Sequence, residues 1–206
     1  MSELAFLSRI LASATHDMQN IMAIIKECGA LAEDILSLNK IGPRLKHGDK
    51  LASSFSSLSA QVERGRALLI ALNTLAHAAA AEYPQTDGPL FCQRGMELAR
   101  RMARLKECTL AAGELEKGVL ILGDAFLFME TLYLGVALAL TNCTAGNALT
   151  VDLFREGDAA CLRITTGEPV DIPQPDGDLE ALLARLNASG TCAPGALSFS
   201  FPAATA

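Results

Sequence analysis

His16, Asp17 and Asn20 put an imidazole, a carboxylate and an amide within about one helical turn, in the stretch Thr15-His16-Asp17-Met18-Gln19-Asn20. A carboxylate beside an imidazole can orient the ring, fix its tautomer and raise its basicity. An amide four residues on shares the histidine's helix face. It can position a water or a phosphoryl oxygen. The chemistry suited to such a set is carriage of a phosphoryl group on an imidazole nitrogen. The competing reading is a solvated surface histidine with no task, since exposed polar positions are common. The two polar neighbours weigh against it.

The elements that must hold these residues follow from periodicity. Leu4, Leu7, Leu11, Ala14, Met18, Ile21, Ile25, Cys28, Ala32 and Ile35 alternate steps of three and four, the a/d seam of helices packed side by side. On that register His16 falls at f, farthest from the seam, in line with Arg9, Ala23, Ala30 and Ser37. The spacing predicts a helix from about Ser2, its N-cap, to about Asn39, roughly 55 Å long at 1.5 Å per residue. Ile41-Gly42-Pro43 stops it. Asp49 is the expected N-cap of a second helix, over Lys50 to Glu82, with the seam Leu51, Phe55, Leu58, Val62, Gly65, Leu69, Leu72, Ala76 and Ala79. Ile10, Ile24, Leu31 and Leu38 widen the apolar face of the first helix at g. One hairpin cannot cover so broad a face, which predicts that two chains join as a homodimer in a four-helix bundle displaying two copies of His16. His47 is read as a loop residue and His77 as a structural one.

Tyr83-Pro84-Gln85-Thr86-Asp87-Gly88-Pro89 reads as a linker. The expected organisation is therefore residues 1–83 for the helical hairpin, 84–89 for the linker and 90–206 for a second domain. Beyond the linker the pattern alternates. Helices are expected over Arg94–Glu107, Asp124–Asn142 and Leu179–Asn187. Strands are expected over Thr109–Leu115, Gly118–Leu122, Leu149–Arg155, Ala160–Thr166 and Leu197–Phe201. The fold class is α+β: a long N-terminal helical hairpin, then an α/β sandwich with one mostly antiparallel sheet.

Composition narrows the function. Half of the 206 residues are apolar, enough for a sizeable core, and the net charge is −6. An acidic chain does not suit nucleic acid, which needs a basic face. The six cysteines form no CxxC pair and no metal spacing, so they read as small buried hydrophobes of a reduced compartment. No signal peptide is evident, since Glu3 sits where a basic region belongs. The apolar run Gly118 to Leu140 is interrupted by Asp124 and Glu130, which argues against a membrane span. The expected location is cytoplasmic.

His16-Asp17-Met18-Gln19-Asn20 resembles the dimerisation and phosphotransfer helix of bacterial sensor histidine kinases, whose motif is His, then Glu or Asp, two residues, then Asn or Thr. The second half is similar to the ATP-binding domain that follows this hairpin in the family, with departures. Leu134-Gly135-Val136-Ala137-Leu138-Ala139 falls in the frame of the family's N-box, Asn-Leu-Leu-x-Asn-Ala, and the Mg²⁺-holding asparagine lands on Leu138. Thr165-Thr166-Gly167-Glu168-Pro169 stands where the family has Asp-x-Gly-x-Gly, so Thr165 replaces the adenine-recognising aspartate and Pro169 the second glycine. The glycine-rich lid is missing between Pro173 and Leu179. Leucine cannot ligate a hard cation that demands oxygen, and proline removes a backbone donor. Asn142 and Asn147 lie nearby but out of frame.

The whole chain thus resembles the dimeric histidine phosphotransferases of bacterial phosphorelays, with a kinase-like hairpin and a degenerate ATPase-like domain. The resemblance implies phosphoryl exchange between His16 and an aspartate of response-regulator receiver domains, without ATP binding and with no cofactor of its own. Mg²⁺ would come with the receiver. An upstream hybrid histidine kinase is an open further partner. Asp17 would orient His16, Asn20 would contact the phosphoryl group or a water, and Ala23, Ile24 and Glu27 would form part of the docking surface. Three rivals stay open: a response-regulator phosphatase, a kinase with an unusual ATP site, and a non-enzymatic dimeric scaffold or inhibitor of a histidine kinase.

Overall fold

A computed structural model describes residues 3–38, 48–80 and 85–204. It divides into two compact units, one of Leu7–Ile70, the other of Met1–Phe6 together with Ala71–Ala206. Two long helices come first, α1 (Glu3–Leu38) and α2 (Gly48–Ala80). The expected N-cap Ser2, the stop Ile41-Gly42-Pro43 and His47 lie outside the described residues. Asp49 falls inside the first turn of α2 rather than at its cap.

Within the unit of Leu7–Ile70, α1 buries Ile10, Ala14, Asp17, Ile21 and Ala32, and α2 buries Ser54, Gly65 and Leu68. The helices meet closely at Gly65, where an added Cβ would sit 3.4 Å from Ile21 Cγ2 and 3.9 Å from Met18 Sδ. Three seam residues are open instead: Leu11 is 53% exposed, Val62 44% and Leu69 52%. One pair of helices buries only the stripes that face each other, and seam positions further round the barrel of each helix stay in solvent. A groove of about 340 Å³ runs along this open side, lined by Met18, Ile21, Met22, Ile25, Val62, Gly65, Arg66, Leu69 and Ile70.

The other unit is a two-layer sandwich. Its elements are β1 (Gln85–Asp87), α3 (Gly88–Leu105), β2 (Thr109–Leu115), β3 (Leu120–Leu122), α4 (Ala125–Ala139), β4 (Ala148–Glu156), β5 (Ala159–Thr166), α5 (Gly177–Arg185), β6 (Ser189–Ala193) and β7 (Ala196–Pro202). A five-stranded sheet has the order β2-β4-β5-β7-β6, and β1 pairs with β3 in a small second sheet. β2 and β4 are parallel; the other pairs of the large sheet are antiparallel. Period two puts Leu149, Val151 and Leu153, then Leu162 and Ile164, then Leu197, Phe199 and Phe201 on one buried face. Register stacks Leu153, Leu162 and Phe199 across three strands. Helix α4 lies against that face: Gly135 brings its backbone so near that an added Cβ would be 2.7 Å from Phe199 Cε2 and 3.0 Å from Ile164 Cδ1. Phe6, fully buried, packs edge-on to Phe126 and Tyr133 of α4, with ring centroids 5.1 and 5.7 Å away. Among the described residues no helix is long and apolar enough to cross a membrane.

The expected linker over 84–89 is structured where it is described. Gln85–Asp87 form β1, Asp87 caps α3 by accepting from Leu90 N at 3.0 Å, and Pro89 lies in the first helical turn. Proline's fixed φ suits that position, so α3 starts six residues earlier than Arg94. β6 was not expected from Ser-Gly-Thr-Cys-Ala, which has a single β-branched residue; its partner β7 holds it. β2 is kinked between Ala112 and Leu115, and there Glu114 N donates to Asp152 Oδ1 at 2.7 Å.

Candidate functional site

His16 projects into solvent from the middle of α1, as its place opposite the seam requires. Asn20, one turn on and also exposed, places its Nδ2 3.1 Å from His16 Nδ1. An amide can face this nitrogen either way round. Its NH₂ donates to a bare Nδ1, which leaves the proton on Nε2; its oxygen accepts from Nδ1–H, which leaves a lone pair on Nε2. Asn20 can therefore meet Nδ1 in either tautomer of the ring.

Asp17 is not free on the same surface. It is buried, and its Oδ2 lies 3.2 Å from Arg64 Nη2 of α2. The expectation gave Asp17 the orienting of His16 and Asn20 a contact to phosphoryl or water. In the structure Asn20 meets the ring directly and Asp17 binds across the helix pair, close to the Gly65 approach. Arg64 had no part in the expectation, because the pairing spans 47 residues and nothing in the local pattern singles Arg64 out from Arg66 beside it.

This bridge is a lock between helices. Removing Arg64 would leave the Asp17 carboxylate short of its cationic partner in a buried place, which costs about 1–3 kcal/mol. Arg64→Ala is expected to lower the urea midpoint accordingly, and Arg64→Lys to recover part of the loss. An unchanged midpoint for Arg64→Ala would show that the bridge contributes nothing to stability.

Ala23 and Glu27 are exposed and Ile24 is half-buried. With His16 and Asn20 the two exposed residues make one stripe of steps four, three and four down α1.

The second frame, on the sandwich, lies elsewhere on the chain. Leu138 is near the end of α4 and half-buried; Thr165 is in β5, paired with Thr150 and Ala196. The segment from Gly167 to Asp176, between β5 and α5, is fastened along its length. Gly167 N donates to Ala148 O at 2.7 Å, Asn147 Oδ1 accepts from Glu168 N at 3.2 Å, and Gly195 N donates to Val170 O at 2.8 Å. Asn142 Nδ2 donates to Asp171 O at 2.7 Å, and Ile172 is buried. Asn142 and Asn147, out of frame in the sequence, thus bind backbone: they hold this segment to the end of α4 and the start of β4.

No family model matches the chain, and no curated protein matches its sequence. Solved structures do. A mycobacterial sensor histidine kinase, MprB, is 14% identical over 58% of this chain and 97% of its own, with a TM-score of 0.47. The histidine kinase AdeS of Acinetobacter baumannii is 13% identical over 91% of this chain and 97% of its own, with a TM-score of 0.49. A histidine kinase from Burkholderia phymatum is 14% identical over 96% of each chain, with a TM-score of 0.46.

Proposed function

We propose that this chain is a histidine phosphotransferase, exchanging a phosphoryl group between His16 and an aspartate on a response-regulator receiver domain. The observation that carries the reading is the exposed imidazole with Asn20 on its Nδ1. With Nδ1–H held by the amide oxygen, the Nε2 lone pair attacks the phosphorus of the receiver's acyl phosphate in line. The N–P bond forms as the P–O bond to the aspartate breaks, and the carboxylate leaves with the electron pair. The return step is the reverse. A Mg²⁺ supplied by the receiver would neutralise charge on the transferring oxygens, and this chain's part is placement and orientation.

Three features support a reading without ATP. Leu138 offers no oxygen to a cation, Thr165 offers no carboxylate to an adenine, and the Gly167–Asp176 segment is tied down by Asn142 and Asn147 where the resemblance would need a mobile lid.

The direct test mixes this protein with receiver domains carrying labelled phosphate and, separately, with labelled ATP. Acid-labile, base-stable label from the receiver and none from ATP is expected. Label from ATP would make the chain a kinase. Asn20 beside His16 also suits a water-positioning role, so label lost as free phosphate would favour the phosphatase reading. No reaction with any receiver would favour a scaffold.

Docking is assigned to the exposed stripe through Ala23 and Glu27, with the half-buried Ile24 beside it. Ala23→Trp should lower the transfer rate about tenfold or more, by bulk in the space the receiver needs, while leaving the oligomeric state unchanged. A rate equal to wild type would remove Ala23 from the docking face.

The open groove along Met22, Val62 and Leu69 is assigned to a second copy, giving the dimeric bundle. Each Leu69 would be buried there, and a carboxylate in its place would strand a charge in apolar surroundings. Leu69→Asp is expected to weaken dimerisation about 100-fold or more, read as a halved mass by light scattering at micromolar concentration. A dimer that survives with wild-type affinity would place the interface elsewhere.

A further inference from the structure

The ends of α3 and α4 bring two of the six cysteines together. Cys108 comes just before β2, and Cys143 lies in the turn after α4. Backbone bonds hold these stretches side by side. Gly146 N donates to Glu107 O at 2.9 Å and Thr109 N to Asn147 O at 3.0 Å.

The side chains follow the backbone. Cys108 Sγ donates to the carbonyl of Thr144, the residue after Cys143, at 3.2 Å. Cys143 Sγ donates to Ala139 O at 3.1 Å and receives Asn147 Nδ2 at 3.7 Å. Burial first and the neighbouring Cys108 next push the Cys143 thiol up, and Lys106 pulls it the other way. Both side chains are buried, and a groove of about 430 Å³ lined by Met102, Leu105, Lys106, Ala137, Leu140 and Thr141 opens between the ends of α3 and α4. The pair is unlike Cys92, which sits inside α3 and is pushed up to about 12 by burial and by Asp152.

We propose that Cys108 and Cys143 form a reversible disulfide site that exchanges with low-molecular-weight disulfides such as glutathione disulfide. One protein thiol loses its proton and attacks a sulfur of the reagent. A mixed disulfide forms and one glutathione thiolate leaves. The second protein thiol loses its proton and attacks the protein-side sulfur, and the second glutathione leaves. Two electrons pass from the protein to the reagent, which departs as two glutathione molecules. The product ties the C-terminal ends of α3 and α4 across an intervening loop of about 35 residues, a length at which a cross-link restrains the unfolded chain.

The test uses the full chain, folded, incubated with glutathione disulfide, then alkylated and digested without reduction. A Cys108–Cys143 linked peptide is expected as the dominant disulfide, lost on treatment with dithiothreitol. The thermal midpoint of the oxidised protein should rise by several degrees. In Cys108→Ser and Cys143→Ser the linked peptide disappears, and the remaining cysteine of the pair retains a glutathione adduct. Far-UV circular dichroism checks that each variant is folded, and the wild-type peptide map decides the matter even if neither is. Alkylation of both thiols after incubation, stable glutathione adducts on either in the wild type, or a link that forms only in urea would each overturn the proposal.

Discussion

A His16→Gln protein is expected to take up no phosphoryl group from a charged receiver, while folding and assembling as wild type does. The two halves of that expectation come from separate observations. His16 is exposed in mid-helix, and it bonds to Asn20, itself in solvent. Glutamine is a good helix former, so the change costs at most a few tenths of a kcal/mol in local structure. Chemically the change is complete, because an uncharged amide is no nucleophile toward phosphorus. Among the described residues the other histidine is His77, in the last turn of α2 and within the other compact unit. The expected effect is a loss of about a thousandfold or more, or at least about 4 kcal/mol in the barrier. It is read by labelled-receiver transfer beside circular dichroism and light scattering. Transfer that persists in His16→Gln would end the reading of His16 as the carrier.

The largest expected effect on stability is at Gly135. The kinase N-box has a leucine in that frame, and a reader of sequence alone would count Gly135→Leu as a repair. The structure predicts the opposite. A first carbon at position 135 already meets the Phe199 ring at 2.7 Å and Ile164 at 3.0 Å, and both residues are fully buried. Alanine gains about 1 kcal/mol over glycine in a helix, but overpacking a filled core costs about 1–3 kcal/mol. Gly135→Ala should therefore lie between neutral and about 2 kcal/mol destabilised. Leucine adds three more carbons with no space to take them, so Gly135→Leu should cost more than about 3 kcal/mol and leave much of the protein insoluble. Urea denaturation of the soluble fraction reads both. A Gly135→Leu protein as stable as wild type would mean that α4 does not rest on β5 and β7.

His16 and Asn20 were legible because exposure and i,i+4 neighbourhood are local properties, fixed by helical periodicity alone. The ion pair of Asp17 was not legible, for the complementary reason. Its partner Arg64 is reached only when α1 and α2 come together, and a heptad pattern gives the facing stripe to within a position, not the pairing. The same uncertainty left Leu11, Val62 and Leu69 on the expected seam, although a single helix pair leaves them in solvent. In the sandwich, β2, β4, β5 and β7 carried their own period-two signal. β1 and β6 did not, since short polar strands owe their form to the neighbour they pair with. The roles of Asn142 and Asn147 were hidden for another reason: each binds the backbone of a segment more than 20 residues away, and backbone partners leave no trace in side-chain sequence.

The two outer strands of the large sheet, β2 and β6, bear on how copies of this protein meet. Open edges are where sheets of different molecules join, strand to strand, and lead to aggregates. β2 is a poor template for that: it kinks at 112–115, gives a backbone donor of the kink to Asp152, and carries the carboxylate of Glu114 near its end. β6 is five residues long and contains Gly190, so an added strand would gain few bonds and little side-chain packing. Edge-to-edge growth is thus disfavoured at both ends of the sheet. Under the pairing proposed above, two copies would instead meet on the open apolar side of the helices, where closed symmetry would limit the assembly to a pair. Such a pair would cover its exposed leucines at high concentration without growing along the sheet edges.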